Sequence, residues 1–161
     1  MPVAPSSPSQ ALTRLGIVLP APRAPRFSYR SVVVDGGLAY VSGALAIDAD
    51  SGGLAFRGRL GEDLDADAGR SSARQAAVSL LGSLHHAVGG LDRVEGFVKL
   101  VGFVRSTPDF GEQPFVVDGA SDLLGDVFGR DRLPARSAIG VAALPGQGSV
   151  ELEGVARLRR D

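Results

Sequence analysis

The chain has 161 residues, 44% of them hydrophobic and 22% charged, with a formal net charge of −1. That length and balance fit one globular domain with a real core and exclude a disordered chain. There is no cysteine, which excludes disulfides, thiolate nucleophiles and cysteine-ligated zinc.

All but one of the 17 basic residues are arginine, the exception being Lys99, and they form no basic stripe. The electrostatic footprint of a nucleic-acid binder is therefore missing. No apolar run approaches the ~20 residues of a membrane span. The N-terminus lacks the charged start and apolar block of a secretory signal, so the expected location is cytoplasmic, with neither membrane nor nucleic acid as partner.

In chain order, residues 1–26 read as an N-terminal extension, partly flexible, before a single domain over 27–161. Residues 1–10 are rich in Pro, Ser and Ala and are expected to be mobile. Residues 11–18 suit one short helical turn, and the three prolines within 19–26 suit extended chain on the surface. From Tyr29 the pattern becomes β: residues 31–34 and 38–42 flank the turn Asp35-Gly36-Gly37 as a hairpin.

Residues 48–67 are loop, with a short strand near 54–56, and Asp65 or Asp67 is placed to cap a helix. Ala73, Ala77, Leu80, Leu81, Leu84 and Val88 then follow helical spacing until Gly89-Gly90. Residues 94–105 read as a strand and 113–128 as a second amphipathic helix. Residues 134–143 and 149–158 read as two strands joined through the Pro-Gly turn at 144–148. The order β-β-α-β-α-β-β predicts an α+β fold, a mixed sheet with two helices on one face. Phe97, Val101 and Phe103 alternate with Val98, Leu100 and Val104, so this strand is apolar on both faces. One helix layer covers one face; the other is expected to meet a partner subunit in a closed homo-oligomer.

The stretch 133–153 carries the chemistry. Strand alternation puts Arg136, Ala138 and Gly140 on one face and Ser137, Ile139 and Val141 on the other. With the apolar set assigned to the helices, Arg136 faces the partner subunit. Its planar fork suits a two-point grip on a carboxylate, and the competing reading is an intersubunit ion pair. Glu151 alternates with Val150 and Leu152 and also faces away from the helices. A desolvated carboxylate there can act as general base or acid, or can simply neutralise Arg136.

Tyr29 can close a pocket or serve as a half-buried packing residue. Ser42-Gly43 permits close backbone approach to a ligand, or marks a bulge. His85 and His86 are adjacent on a helix, so they cannot share a metal as i,i+4 partners do, and no metal site is expected. The acidic loops lack calcium-site spacing.

Pro134-Ala135-Arg136-Ser137 followed by an apolar strand and Val150-Glu151-Leu152 resembles the C-terminal signature of the Rid (reactive intermediate deaminase) family, also called YjgF-like. Tyr29 with Val41-Ser42-Gly43, Ala73-Arg74-Gln75, and Phe97-Val98-Lys99 with Gly102-Phe103-Val104 extend the likeness over roughly residues 29–160. The resemblance implies a chorismate-mutase-like fold in a homotrimer with a ligand cleft at each subunit interface. It implies hydrolytic deamination of reactive enamine/imine intermediates such as 2-aminoacrylate to 2-keto acids and ammonia, with no cofactor.

By position, Arg136 would clamp the substrate carboxylate and Glu151 would activate water. The Ala138 carbonyl would hold that water, and Tyr29, Ser42 and Gly43 would line the cleft. Ala138 stands where many members have cysteine, Ala44 where many have glutamine, and Asp118 where asparagine is common, which marks a divergent subgroup. The alternative functions are a non-catalytic trimer that binds small carboxylates and, against the charge balance, RNA cleavage.

Overall fold

The computed structural model describes residues 7–160. They form three α-helices and a five-stranded mixed sheet. The elements are α1 (Pro8–Leu15), β1 (Val32–Asp35), β2 (Leu38–Leu45), α2 (Ala66–Val88), β3 (Val94–Arg105), α3 (Gln113–Phe128), β4 (Ala135–Val141) and β5 (Val150–Leu158). Across the sheet the strand order is β1-β2-β5-β3-β4; only β3 and β4 run parallel. From β1 onward this is the expected β-β-α-β-α-β-β chain, an α+β fold with α2 and α3 packed on one sheet face.

Local chemistry sets the helix ends. Asp65 caps α2, its carboxylate accepting from the Ala68 amide at 2.8 Å, and Gly89 ends the helix in the left-handed region at φ 78°. Ala73, Ala77, Leu80, Leu81 and Leu84 are fully buried along its inner face. Each such leucine contributes roughly 1.5–3 kcal/mol. On α3, Val116, Val117, Ala120, Leu123 and Leu124 complete the core. The two helices touch backbone to backbone at Gly119, where a Cβ would lie 2.1 Å from the Arg70 carbonyl oxygen.

Strand β3 occupies 94–105 as expected, but it is not a simple alternating ribbon. Its register against β5 slips between Phe97 and Lys99, a bulge that turns Phe97 inward. Phe97 is therefore buried and meets Phe128 of α3 edge to face, with ring centroids 6.1 Å apart. Leu100 and Val104 also lie under the helices, whereas Val101 and Phe103 face the uncovered side. The face without helices further carries Val33, Tyr40, Val155 and Ile139. Tyr40 and Ile139 are 47% and 43% exposed, so this broad apolar surface has no cover among the described residues.

The N-terminal expectation needs correcting. Residues 1–6 of the stretch expected to be mobile lie outside the described residues. From Ser7 on, the chain forms α1, which begins and ends three residues earlier than the stretch 11–18 expected to hold a single turn, and makes about two turns. A capping box explains the start: Ser7 accepts from the Gln10 amide while the Gln10 side chain accepts from the Ser7 amide. The helix is pinned by Ser9, whose amide and hydroxyl both donate to the Asp92 carboxylate at 2.9 and 2.7 Å, and it buries Pro8, Ala11 and Leu12. Downstream, His86 Nε2 lies 3.0 Å from the Pro20 carbonyl, so the extended segment crosses α2. The short strand expected near 54–56 is reduced to isolated bridges, Ile47 with Leu54 and Arg57 with Gly148.

Gly119→Ala tests the helix contact. Because backbone, not a movable side chain, opposes the new methyl, the variant is expected to lose about 1–3 kcal/mol of stability despite its better helix propensity. Chemical denaturation of the two proteins measures this.

Candidate functional site

The strands that bear Arg136 and Glu151 are not neighbours. Strand β3 lies between β4 and β5, pairing with both. The turn over 144–148 therefore joins strands that span β3 rather than a hairpin.

The face assignment of β4 is also reversed. Its parallel register sets Arg136 beside Leu100, Ala138 beside Gly102 and Ile139 beside Phe103. Leu100 points at the helices, so Arg136 does too, and Ala138 packs on the core. Gly140 follows, its Cβ direction meeting Gln113 of α3 at 3.0 Å. Hydrophobicity alone favours the helix side for Ile139, and the register beside Phe103 overrules it. Ile139 sits instead on the uncovered face, and the smaller, polar set takes the edge of the helix layer.

Arg136 is accordingly held by α3. Nη1 donates to Asp118 Oδ1 at 2.7 Å and to Ser121 Oγ at 2.9 Å, and Nη2 donates to the Pro114 carbonyl at 3.0 Å. Its counter-charge is thus an aspartate of its own chain. Among the described residues β4 is the sheet edge beyond β3, so one side of its backbone has no strand partner.

Glu151 lies on the face without helices, as expected, with Phe103 and Leu45 as its cross-strand neighbours. Strand β2 carries one extra residue between Val41 and Ala44, so Ser42-Gly43 is a bulge. The bulge also provides close approach: a Cβ on Gly43 would fall 2.0 Å from Glu151 Oε1, so only glycine leaves the carboxylate its place. The Ser42 hydroxyl donates to the Arg30 carbonyl at 2.6 Å, tying the bulge to the segment that begins with the exposed Tyr29.

Burial first, and then the like charge of Glu153, push the Glu151 carboxyl above its ordinary value of 4.5. No hydrogen bond reaches that carboxylate from the described residues.

The predicted residues thus form two groups. Ser42, Gly43 and Glu151 gather at the bulged corner of the uncovered face, with the exposed Tyr29 one residue before the Arg30 carbonyl that Ser42 binds, whereas Arg136 and Ala138 sit at the β4 edge on the helix side. Sequence reasoning missed Asp118 and Ser121 as partners of Arg136. Their spacing with Pro114 along one helix stripe was the available signal. No cluster of three or more His, Cys, Asp or Glu able to hold a metal occurs among the described residues, and none of their helices is long and apolar enough to cross a membrane.

A mixed five-stranded sheet backed on one face by two long helices is the arrangement of the L-PSP, chorismate-mutase-like class. The family model described as endoribonuclease L-PSP matches residues 20–158. The chain belongs to that family, which is the Rid or YjgF-like family. It is 44% identical over 148 residues to protein TCP17 of Trypanosoma cruzi, covering 91% of each chain.

Among solved structures, Atu1372 of Agrobacterium tumefaciens, a protein of unknown function, superposes with a TM-score of 0.85 at 36% identity, over 94% of both chains. RidA from the Antarctic bacterium Psychrobacter sp. PAMC 21119 matches less closely, with a TM-score of 0.60 at 25% identity over 86% of this chain and 94% of that one.

The raised carboxyl gives a signed expectation. A group whose pKa rises on folding favours the folded state fully below its ordinary value, and that contribution is lost as pH climbs from 4.5 toward the folded-state value. Glu151→Gln should therefore melt at a higher temperature than the native protein at neutral pH, and the difference should vanish below pH 4.5. Thermal melts of both proteins across that range measure it.

Proposed function

We propose that this protein is a cytoplasmic hydrolytic deaminase of small enamine/imine intermediates of the 2-aminoacrylate type, releasing 2-keto acids and ammonia in interface clefts of a homotrimer. The observation that carries the reading is Glu151: a half-buried carboxylate with a raised pKa and no hydrogen-bond partner among the described residues, held open by Gly43 on an apolar face that no helix covers. A general base needs a pKa lifted toward the working pH and an unoccupied oxygen, and Glu151 has both.

Because Arg136 and Glu151 lie on opposite sides of the sheet, one cleft uses both only if two subunits contribute. The β4 edge of one would approach the bulged corner of the next. Covering the face of Val101, Phe103 and Ile139 supplies the driving force for that assembly. Arg136 binds the substrate carboxylate, Tyr29, Ser42 and Gly43 line the cleft, and the Ala138 carbonyl helps hold a water.

The enamine tautomerises to the imine, whose carbon is already electrophilic. Glu151 takes a proton from the water as its oxygen bonds to that carbon. That proton goes to nitrogen to complete the carbinolamine; Glu151 then carries the carbinolamine hydroxyl proton to nitrogen as C=O forms, the C–N bond breaks, and ammonia leaves the 2-keto acid. Every step is proton transfer or addition, so positioning and one base suffice without a cofactor.

A second reading, a trimer that binds small carboxylates without turnover, is favoured by one observation: Asp118 already neutralises Arg136. RNA cleavage, the activity in the family's name, would have to work on a face bearing Glu151 and Glu153.

Incubation with 2-aminoacrylate generated in situ should accelerate pyruvate release, and Arg136→Ala should abolish the effect. Glu151→Gln should retain pyruvate binding but lose about 10²–10⁴-fold in rate. Light scattering should give the mass of three chains. No acceleration over buffer with any of several imino acids would reject the enzyme; binding without turnover would favour the second reading.

A further inference from the structure

The guanidinium assigned to the substrate is crowded. Pro114, Asp118 and Ser121 lie at i, i+4 and i+7 along one stripe of α3, all turned toward Arg136. Both hydrogens of Nη1 are committed, one to the Asp118 carboxylate and one to the Ser121 hydroxyl, and one hydrogen of Nη2 goes to the Pro114 carbonyl. Of the five N–H groups of an arginine, this leaves Nε–H and one hydrogen on Nη2. The end-on fork, which needs a hydrogen from Nη1, is taken.

The two neutral acceptors are sufficient to orient the side chain, so the carboxylate does something further: it supplies the negative charge that a ligand would otherwise bring. The Asp118 side chain is also the more exposed member of the pair, 46% against 23% for Arg136, so it stands on the solvent side, where rotation into water is cheap.

We propose that Asp118 is a built-in competitor for the carboxylate of the ligand, and that a small monocarboxylate binds by displacing Asp118 from Arg136. This rests on the reading of Arg136 as the ligand-binding cation. Asp118 is then a specificity-determining residue. It raises the ligand concentration needed to fill the cleft. Ser121 and Pro114 keep the guanidinium in place while Asp118 swings out, so exchange needs no movement of β4 or α3.

The test is calorimetric titration of the native protein, Asp118→Asn, Asp118→Ala, Ser121→Ala and Arg136→Ala with pyruvate. Asparagine keeps the shape and an acceptor oxygen but removes the charge, and should tighten binding about three- to tenfold. Asp118→Ala should tighten it in the same direction. Ser121→Ala removes a neutral partner of the same guanidinium and should leave affinity unchanged or weaken it, while Arg136→Ala should bind nothing.

Equal or weaker binding by both Asp118 variants, with Arg136→Ala still inert, overturns the competitor role and leaves Arg136 as the ligand cation. Pyruvate binding that survives in Arg136→Ala, or that is absent from every protein, overturns the assignment of Arg136 and the competitor role with it.

Discussion

The register of β4 along β3 decides where both halves of the candidate site lie. Lys99 opposes Ala135 and Arg105 opposes Val141, with no slip between them. Strand β3 has its own phase fixed by Leu100 and Val104, which are buried against α2 and α3. A displacement of β4 by one residue would carry Arg136 to the opposite face of the sheet and bring Ile139 under the helices. Parallel pairing also forces a long crossover, and α3 is that crossover. The helix that returns the chain to start β4 is therefore the same helix that holds Arg136, and Asp118 and Ser121 meet it as a consequence of topology.

Separation of the two charges has an electrostatic use. A guanidinium beside Glu151 would stabilise its ionised form and pull its pKa down, leaving a poor base at neutral pH. With Arg136 on the other face and paired to Asp118, nothing opposes the burial and the Glu153 charge that lift the Glu151 carboxyl. Within one chain the sheet separates a carboxyl lifted by burial from a guanidinium paired with its own aspartate. In the proposed trimer, bringing the two groups to one ligand is a property of assembly.

Much of this was legible in the sequence, and the rest was hidden for physical reasons. Helix boundaries were readable because Asp65 is a local start signal and Gly89 and Gly129 are local stop signals, and β3 was readable from its apolar run. The phase of β5 was readable too, since Val150 and Leu152 flank Glu151 without interruption. The phase of β4 was not: its residues are small, and hydrophobicity is a poor guide to facing when both sides of a sheet are apolar. Bulges were only partly legible, the one at Ser42-Gly43 as one of two readings and the one near Phe97 not at all. The extra residues near Phe97 and at Ser42-Gly43 have no sequence mark beyond an ambiguous glycine, yet each reverses the alternation downstream. The three α3 acceptors around Arg136 depend on a contact across 15–22 residues, which no local pattern encodes.

The docking of α1 has a consequence for the order in which the molecule comes together. Its anchor, Asp92, lies 83 residues downstream of Ser9, and the helix surface it rests on, α3, comes later still. During synthesis α1 emerges before its anchors and has nothing to bind until most of the domain has followed. An isolated helix of eight residues does not persist in water, so it forms as it docks, after α2, β3 and α3 have met. Few of its side chains are buried and no strand of the sheet depends on it. Helix α1 is therefore expected to dock late and to open locally while the sheet stays intact.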